Sequence, residues 1–257
     1  INNLILSEIH TKGLLKTIND ENNNVIIAVN KALPEIEKAC DGAAEAIQQG
    51  GRVFYLGAGT SGRLAVCDAS EAPPTFGVPY EMFTAILAGG PECMARAGES
   101  AEDDPMASGE ELKKKGLTEK DIVIGISASG SAAFVIAGIE YAKAIGAKTV
   151  SITNNPDVTM GGADICICCD TGPEVITGST RMKAGTAQKI ILNMISTASM
   201  VKCGYVYENM MINLQPTNKK LKARMIGIVT EILGCDRETA QERLEKANWL
   251  IRKAVEE

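Results

Sequence analysis

The stretch that most constrains this chain is Gly57-Ala58-Gly59-Thr60-Ser61-Gly62-Arg63, set between a short apolar run (residues 52–56) and a helical apolar pattern that follows at once. A strand feeding a helix through a glycine-rich, hydroxyl-bearing turn belongs to the α/β class, and the turn is an anion site. The free N–H groups of the first helical turn and the positive end of the helix dipole converge there. Gly59, Thr60, Ser61 and Gly62 are the candidate ligand residues. Pro73-Pro74 predicts the end of the helix, which leaves Glu71 at its C-terminal end, close to the rim of the turn.

Two nucleotide sites share these letters, and the sequence counts against both. A dinucleotide fingerprint calls for an acidic residue about 20 positions on, at the end of the second strand. Here that strand, residues 82–88, ends in Gly89-Gly90. A P-loop needs Gly-Lys-Ser/Thr for a triphosphate and its magnesium, whereas this loop offers Gly62-Arg63-Leu64. A single phosphate ester fits better.

Further apolar runs at 121–128, 147–153 and 163–169 have helical stretches between most of them, and runs such as 122–126 and 149–152 lack a solvent-facing period of two, which suits parallel strands covered on both faces. The expectation is a doubly wound, five-stranded parallel sheet in the flavodoxin-like order 2-1-3-4-5, with ligands at the carboxyl ends of strands one and three. Strand three ends in Ser127-Ala128-Ser129-Gly130-Ser131, a second hydroxyl-rich loop at a helix start. Two such loops facing each other make phosphate binding far more specific than either alone. Beyond strand two, Glu99 and Glu102 lie on the same rim. After strand five a polar loop carries Glu174, Ser179, Arg181 and Lys183 into a helix with an apolar face at Ala187, Ile190, Ile191, Met194, Ile195, Ala198 and Val201.

Three segments follow from this pattern. Residues 1–50 form an N-terminal helical arm with a stripe at Val29, Leu33, Ile36, Cys40, Ala43 and Ile47 and an expected kink at Pro34; residues 51–214 form the phosphate-binding α/β domain; residues 215–257 form a small helical tail that reads as truncated. A net charge of −6 counts against nucleic acid as partner, and no apolar run has membrane-spanning length. Eight cysteines, among them Cys40, Cys67, Cys166, Cys168 and Cys203 within apolar stretches, suit buried free thiols of a reducing cytoplasm. Cys166-Ile167-Cys168-Cys169 has no second ligand pair to complete a tetrahedral metal site, and the lone histidine, His10, lies far from every glycine-rich loop. No metal or histidine chemistry is expected.

Taken together, Gly57 to Arg63, Asp68-Ala-Ser-Glu71-Ala-Pro-Pro-Thr75, Ala101-Glu102-Asp103, Ser127-Ala-Ser-Gly130 and Thr177-Gly-Ser-Thr-Arg-Met-Lys-Ala-Gly-Thr-Ala-Gln188 resemble the N-acetylmuramic acid 6-phosphate etherases, of the sugar isomerase (SIS) fold. The resemblance covers about residues 18 to 235. It implies a cytoplasmic, homodimeric lyase of cell-wall amino-sugar recycling, which cleaves the lactyl ether of its sugar phosphate to N-acetylglucosamine 6-phosphate and D-lactate without cofactor. By that pattern Glu71 is the acid that protonates the departing lactate and later helps water in, and Glu102 is the base. Two carboxylates whose environments separate their pKa values can do both jobs near neutrality. In one place the chain departs from the family, which carries Arg-Thr-Pro-Tyr after Ser129-Gly130 where this chain has Ser131-Ala132-Ala133-Phe134. Ser131 or Ser127 is the expected substitute for the missing threonine hydroxyl.

Two other functions remain compatible with the same fold. One is a non-catalytic sugar-phosphate sensor like the glucokinase regulatory protein. The other is an aldose–ketose isomerase, which would use Glu174 or His10 as base.

Overall fold

The computed structural model describes residues 6–256 apart from 97, 99 and 217, so Glu99 lies outside the described residues. Five parallel strands, β1 (Val53–Gly57), β2 (Phe83–Leu87), β3 (Ile122–Ile126), β4 (Lys148–Thr153) and β5 (Ile165–Cys168), stand in the order β2-β1-β3-β4-β5. The order is the one expected from the sequence. Its register aligns Gly57 with Leu87 on one side and Ile126 on the other, and Ile126 with Ile152, so the carboxyl ends form one edge.

Strand residues alternate between two cores, because successive side chains point to opposite faces. Val53, Tyr55, Ile122, Ile124 and Ile126 meet α2 (Asn23–Gln48), α3 (Gly59–Phe76) and α6 (Lys183–Lys202). Phe54, Leu56 and Val123 meet α4 (Ala107–Lys114) and α5 (Ala133–Ile145). At the amino-terminal edge Arg52 binds Asp121 through its backbone N–H (2.7 Å) and its guanidinium (2.9 Å).

Both proline expectations are corrected. Pro34 lies inside α2, which runs through it unbroken; Pro34 and Asn30, whose carbonyl loses its partner, are both on the exposed side, where water replaces the missing bond. Pro73 and Pro74 lie inside α3, which continues to Phe76 because Ala72 and Phe76 are anchored in the core. The helix stops one residue later at Gly77, which is left-handed (φ 67°) and donates its N–H to the Pro73 carbonyl at 2.9 Å. Glu71 is therefore an exposed mid-helix residue.

Ahead of the sheet, α1 (Thr11–Glu21) buries no residue. Leu33 in the predicted stripe of α2 is exposed, and so is Val201 on α6. Ile190, Met194 and Ala198 are only half-buried and line an open groove along α2 and α6. Beyond a short hairpin, β6 (Val206–Tyr207) and β7 (Met210–Met211), the tail consists of α7 (Lys219–Leu233), α8 (Arg237–Lys246) and α9 (Ile251–Glu256). It packs round its own core of Met225, Val229, Leu244 and Ile251, which also takes in Ile212 and Leu214. That core reaches across the boundary expected at residue 214.

Not all the thiols are buried. Cys67 and Cys168 are exposed, each on the outer side of an otherwise packed element. Burial pushes the Cys40 thiol up to about 11 and the Cys169 thiol up to about 12, which keeps both protonated near neutrality.

Candidate active site

The first loop is shaped by close packing of strand and helix. A side chain on Gly62 would collide with the carbonyl of Gly57 and with Leu87, and Gly59 takes a left-handed turn (φ 51°) with open space where its side chain would be. The first turn of α3 thus stands directly over the end of β1. In the second loop the N–H of Gly130, also left-handed (φ 75°), donates to the Ser127 hydroxyl at 3.1 Å and to its carbonyl at 3.2 Å. That turn sets Ser129 on the rim, where its hydroxyl pairs with that of Ser131 at 2.8 Å.

Between the loops lies a cavity of about 190 Å³. Gly59, Thr60 and Ser61 line it from the first loop, Ser127 and Ser129 from the second, and Glu102 from the short helical turn Ala101–Asp103. Thr180 and the Ala132 end of α5 complete it. Among the described residues no lysine or arginine lines this cavity, so an anion there is met by neutral donors and helix N-termini. A second hollow of about 450 Å³ adjoins it, sharing Ala128, Ser129 and Thr180 and extending over Asn154, Asn155, Asp170, Thr171 and Glu174.

Several expected site residues stand elsewhere. Glu174 lines the second hollow, but its two oxygens accept the N–H groups of Lys183 (3.1 Å) and Ala184 (3.0 Å) and so cap α6. Lys183 is buried and turned away, its Nζ paired with Glu21 of the arm at 2.6 Å. Ser179 and Arg181 flank Thr180 without lining either hollow, and Arg181 is exposed with no side-chain hydrogen bond among the described residues. Gly62 and Gly130 shape their loops from behind. Ser131 supports Ser129, which leaves Ser127 as the candidate for the missing threonine hydroxyl. Twelve residues separate Glu71 from Gly59, which along a helix is about 18 Å. The structure does not bring Glu71 to the cavity that holds Glu102.

Residues the sequence reading missed are Thr180, Asn154, Asn155 and Gln188. The Asn154-Asn155 pair directly after β4 was a visible signal, a polar pair at the carboxyl end of a buried strand. The buried hydrogen bonds of Gln188 had none.

A doubly wound parallel sheet in this order, with two hydroxyl-rich helix starts facing each other across β1 and β3, is the sugar isomerase (SIS) fold. The chain's SIS domain match covers residues 107–198, and its match to the glucokinase regulatory protein N-terminal SIS domain covers residues 35–143. Among solved structures, an E. coli CFT073 protein solved as a ligand complex is similar at a TM-score of 0.56 and 17% identity, over 77% of this chain and 95% of that one. A phosphoheptose isomerase from Francisella tularensis is similar at 0.55 and 17% identity, over 74% and 98%.

Sequence relatives narrow the class. The N-acetylmuramic acid 6-phosphate etherase of Mesorhizobium japonicum is 49% identical over 95% of this chain and 80% of its own length, and that of Clostridium beijerinckii is 50% identical over 97% and 83%. The chain belongs to the N-acetylmuramic acid 6-phosphate etherase family.

Proposed function

We propose that this protein cleaves the D-lactyl ether of N-acetylmuramic acid 6-phosphate to N-acetylglucosamine 6-phosphate and D-lactate, with the phosphate in the small cavity and the sugar over the second hollow. The observation that carries this reading is the carboxylate of Glu102 on the wall of a cavity otherwise lined by neutral residues and two helix starts. Ring opening exposes an aldehyde that acidifies the proton on the neighbouring carbon. Glu102 takes that proton, the lactate leaves from the next carbon with a proton from an acid, and water adds across the resulting double bond to restore the hydroxyl.

The acid in this reading is Glu71, and the helix that carries it runs away from its own cavity. A second copy related by a two-fold axis across the strands would set the lower end of its α3 beside the upper edge of the first. Glu71 of the partner subunit then serves the cleft of Glu102. The groove between α2 and α6 is the surface proposed for this homodimer: Leu33, Ile36, Ile190 and Met194 give it an apolar floor, and Asp41 and Lys202, paired at 2.8 Å, give it a charged rim. Free thiols and a phosphorylated substrate suit the cytoplasm.

The test is lactate release from N-acetylmuramic acid 6-phosphate by the wild type, Glu71→Ala, Glu102→Ala and an equimolar mixture of the two variants. Release by the wild type, its loss in each variant and partial return in the mixture are expected, since a mixed dimer keeps one intact cleft. Tight hexose phosphate binding without release, unchanged by either substitution, would instead identify a sensor like the glucokinase regulatory protein.

A further inference from the structure

Behind the small cavity runs a chain of two amides, Gln188 fully buried and Asn154 half-buried on the wall of the second hollow. Gln188 on α6 is 1% exposed; its Oε1 accepts the Ser61 hydroxyl at 2.8 Å, and its Nε2 donates to Asn154 Oδ1 at 2.9 Å. Asn154 Nδ2 donates in turn to the backbone carbonyl of Cys169 at 2.8 Å. Four elements of the cleft are tied together: the starts of α3 and α6 and the ends of β4 and β5.

The last member fixes the direction of every link. A backbone carbonyl has no proton to give. Asn154 therefore turns its nitrogen to Cys169 and its oxygen to Gln188, which in turn directs its nitrogen to Asn154 and its oxygen to Ser61. Flipping Asn154 would set its oxygen against the Cys169 carbonyl and its N–H groups against those of Gln188, and flipping Gln188 would set two amide oxygens face to face, at the cost of hydrogen bonds that the buried Gln188 cannot remake with water. Ser61 has one proton, and Gln188 takes it. The donor role that the sequence suggests for Ser61 is thereby closed, and what its hydroxyl can offer the cavity is lone pairs only.

We propose that Gln188 is a positioning residue that holds Ser61 as a hydrogen-bond acceptor, so that the ligand group seated on Ser61 is an O–H donor. The inference rests on the hexose 6-phosphate reading of the cleft. Two groups of such a ligand have this chemistry, a sugar hydroxyl and the proton of a phosphate monoanion; a bare phosphate oxygen would face lone pairs and be repelled. Thr60, Ser127 and the N–H groups of the helix starts carry the charged oxygens. A site that presents an acceptor rejects an analogue lacking the matching hydroxyl far better than an apolar wall does.

The experiment is a binding cycle with N-acetylglucosamine 6-phosphate in one arm and inorganic phosphate in the other, on the wild type, Ser61→Ala, Gln188→Leu and the double variant. Ser61→Ala should weaken the sugar phosphate about tenfold, the worth of one hydrogen bond; Gln188→Leu, which frees the hydroxyl to rotate, should weaken it by up to that factor, and the double variant should bind no worse than Ser61→Ala, because Gln188 acts on the sugar only by holding the Ser61 hydroxyl. Unchanged phosphate binding assigns the donor to the sugar, and a parallel loss assigns it to the phosphate proton. Gln188→Leu binding as tightly as the wild type while Ser61→Ala weakens, or losses that simply add, would overturn the proposal. Should Gln188→Leu not fold, Gln188→Met, closer in shape and equally without an amide oxygen, replaces it in the same cycle, and its effect must vanish in the Ser61→Ala background. Lactate release by the wild type reports separately on the etherase: binding without release sinks that reading and leaves this one, whereas a wild type that binds no hexose 6-phosphate overturns both.

Discussion

Glu174 offers the sharpest separation of a structural carboxylate from a substrate contact. Its side chain is 5% exposed, and its two oxygens accept the first free N–H groups of α6 at 3.1 and 3.0 Å. Hydrogen bonds to a charged group contribute roughly 1.5–3 kcal/mol each, and a carboxylate at a helix N-terminus gains about 0.3–1 kcal/mol more. Glu174→Gln keeps one oxygen for one N–H but turns an amide donor toward the other, so its expected cost is about 2–3 kcal/mol. In a chain of this size each kcal/mol moves Tm by roughly 2–4 °C, which gives a fall of about 4–12 °C. Glu174→Ala leaves both N–H groups without a partner and should cost more. Thermal unfolding is the assay, with affinity for N-acetylglucosamine 6-phosphate measured on the same samples below Tm. Glu174→Gln with an unchanged Tm and abolished sugar binding would refute the capping argument and make Glu174 a ligand contact.

Two further outcomes follow from other parts of the molecule. Burial pushes the Asp121 carboxyl up, but hydrogen bonds from the Arg52 side chain and from the Thr118 and Arg52 backbones, with the Arg52 charge, outweigh it and hold the group below its usual range. Its stabilisation is therefore present above the unfolded value near 3.9 and is lost as pH falls through the lower folded value; urea midpoints from pH 7 to pH 3 should fall less steeply for Asp121→Asn, and parallel curves would contradict this. Met194→Glu places a charge in the apolar groove between α2 and α6 and should convert a dimer to monomer in sedimentation; an unchanged mass would remove the groove as the interface.

The strands were legible because each is a short, mostly apolar run bounded by glycine or polar residues, and their order followed from the helices between most of them; β4 and β5 have none between them. Thr60, Ser127 and Glu102 could be placed at one edge for the same reason: each directly follows a strand or its loop. Local rules misread the two prolines, since the fate of a helix at Pro34 or Pro74 depends on which side faces water and on what the next turn is anchored to. Charge was misread for a related reason. Lys183 looks like an anion ligand until Glu21, 162 positions away, is found beside it. Ser61 looks like a donor until its proton is traced to Gln188, 127 positions away. Side-chain partners so distant in sequence leave no periodic or spacing signal.

The Arg52–Asp121 clamp lies at the opposite edge of the sheet from both hollows. Strands of five residues separate the two edges by about 16 Å, beyond the 7–10 Å within which substitutions usually couple. The share of stability that this clamp holds is thus kept apart from the chemistry. Tighter ion pairing at the lower edge is a route to a hardier catalyst that leaves turnover untouched, and random mutagenesis should find its thermostable winners there and its altered specificities above.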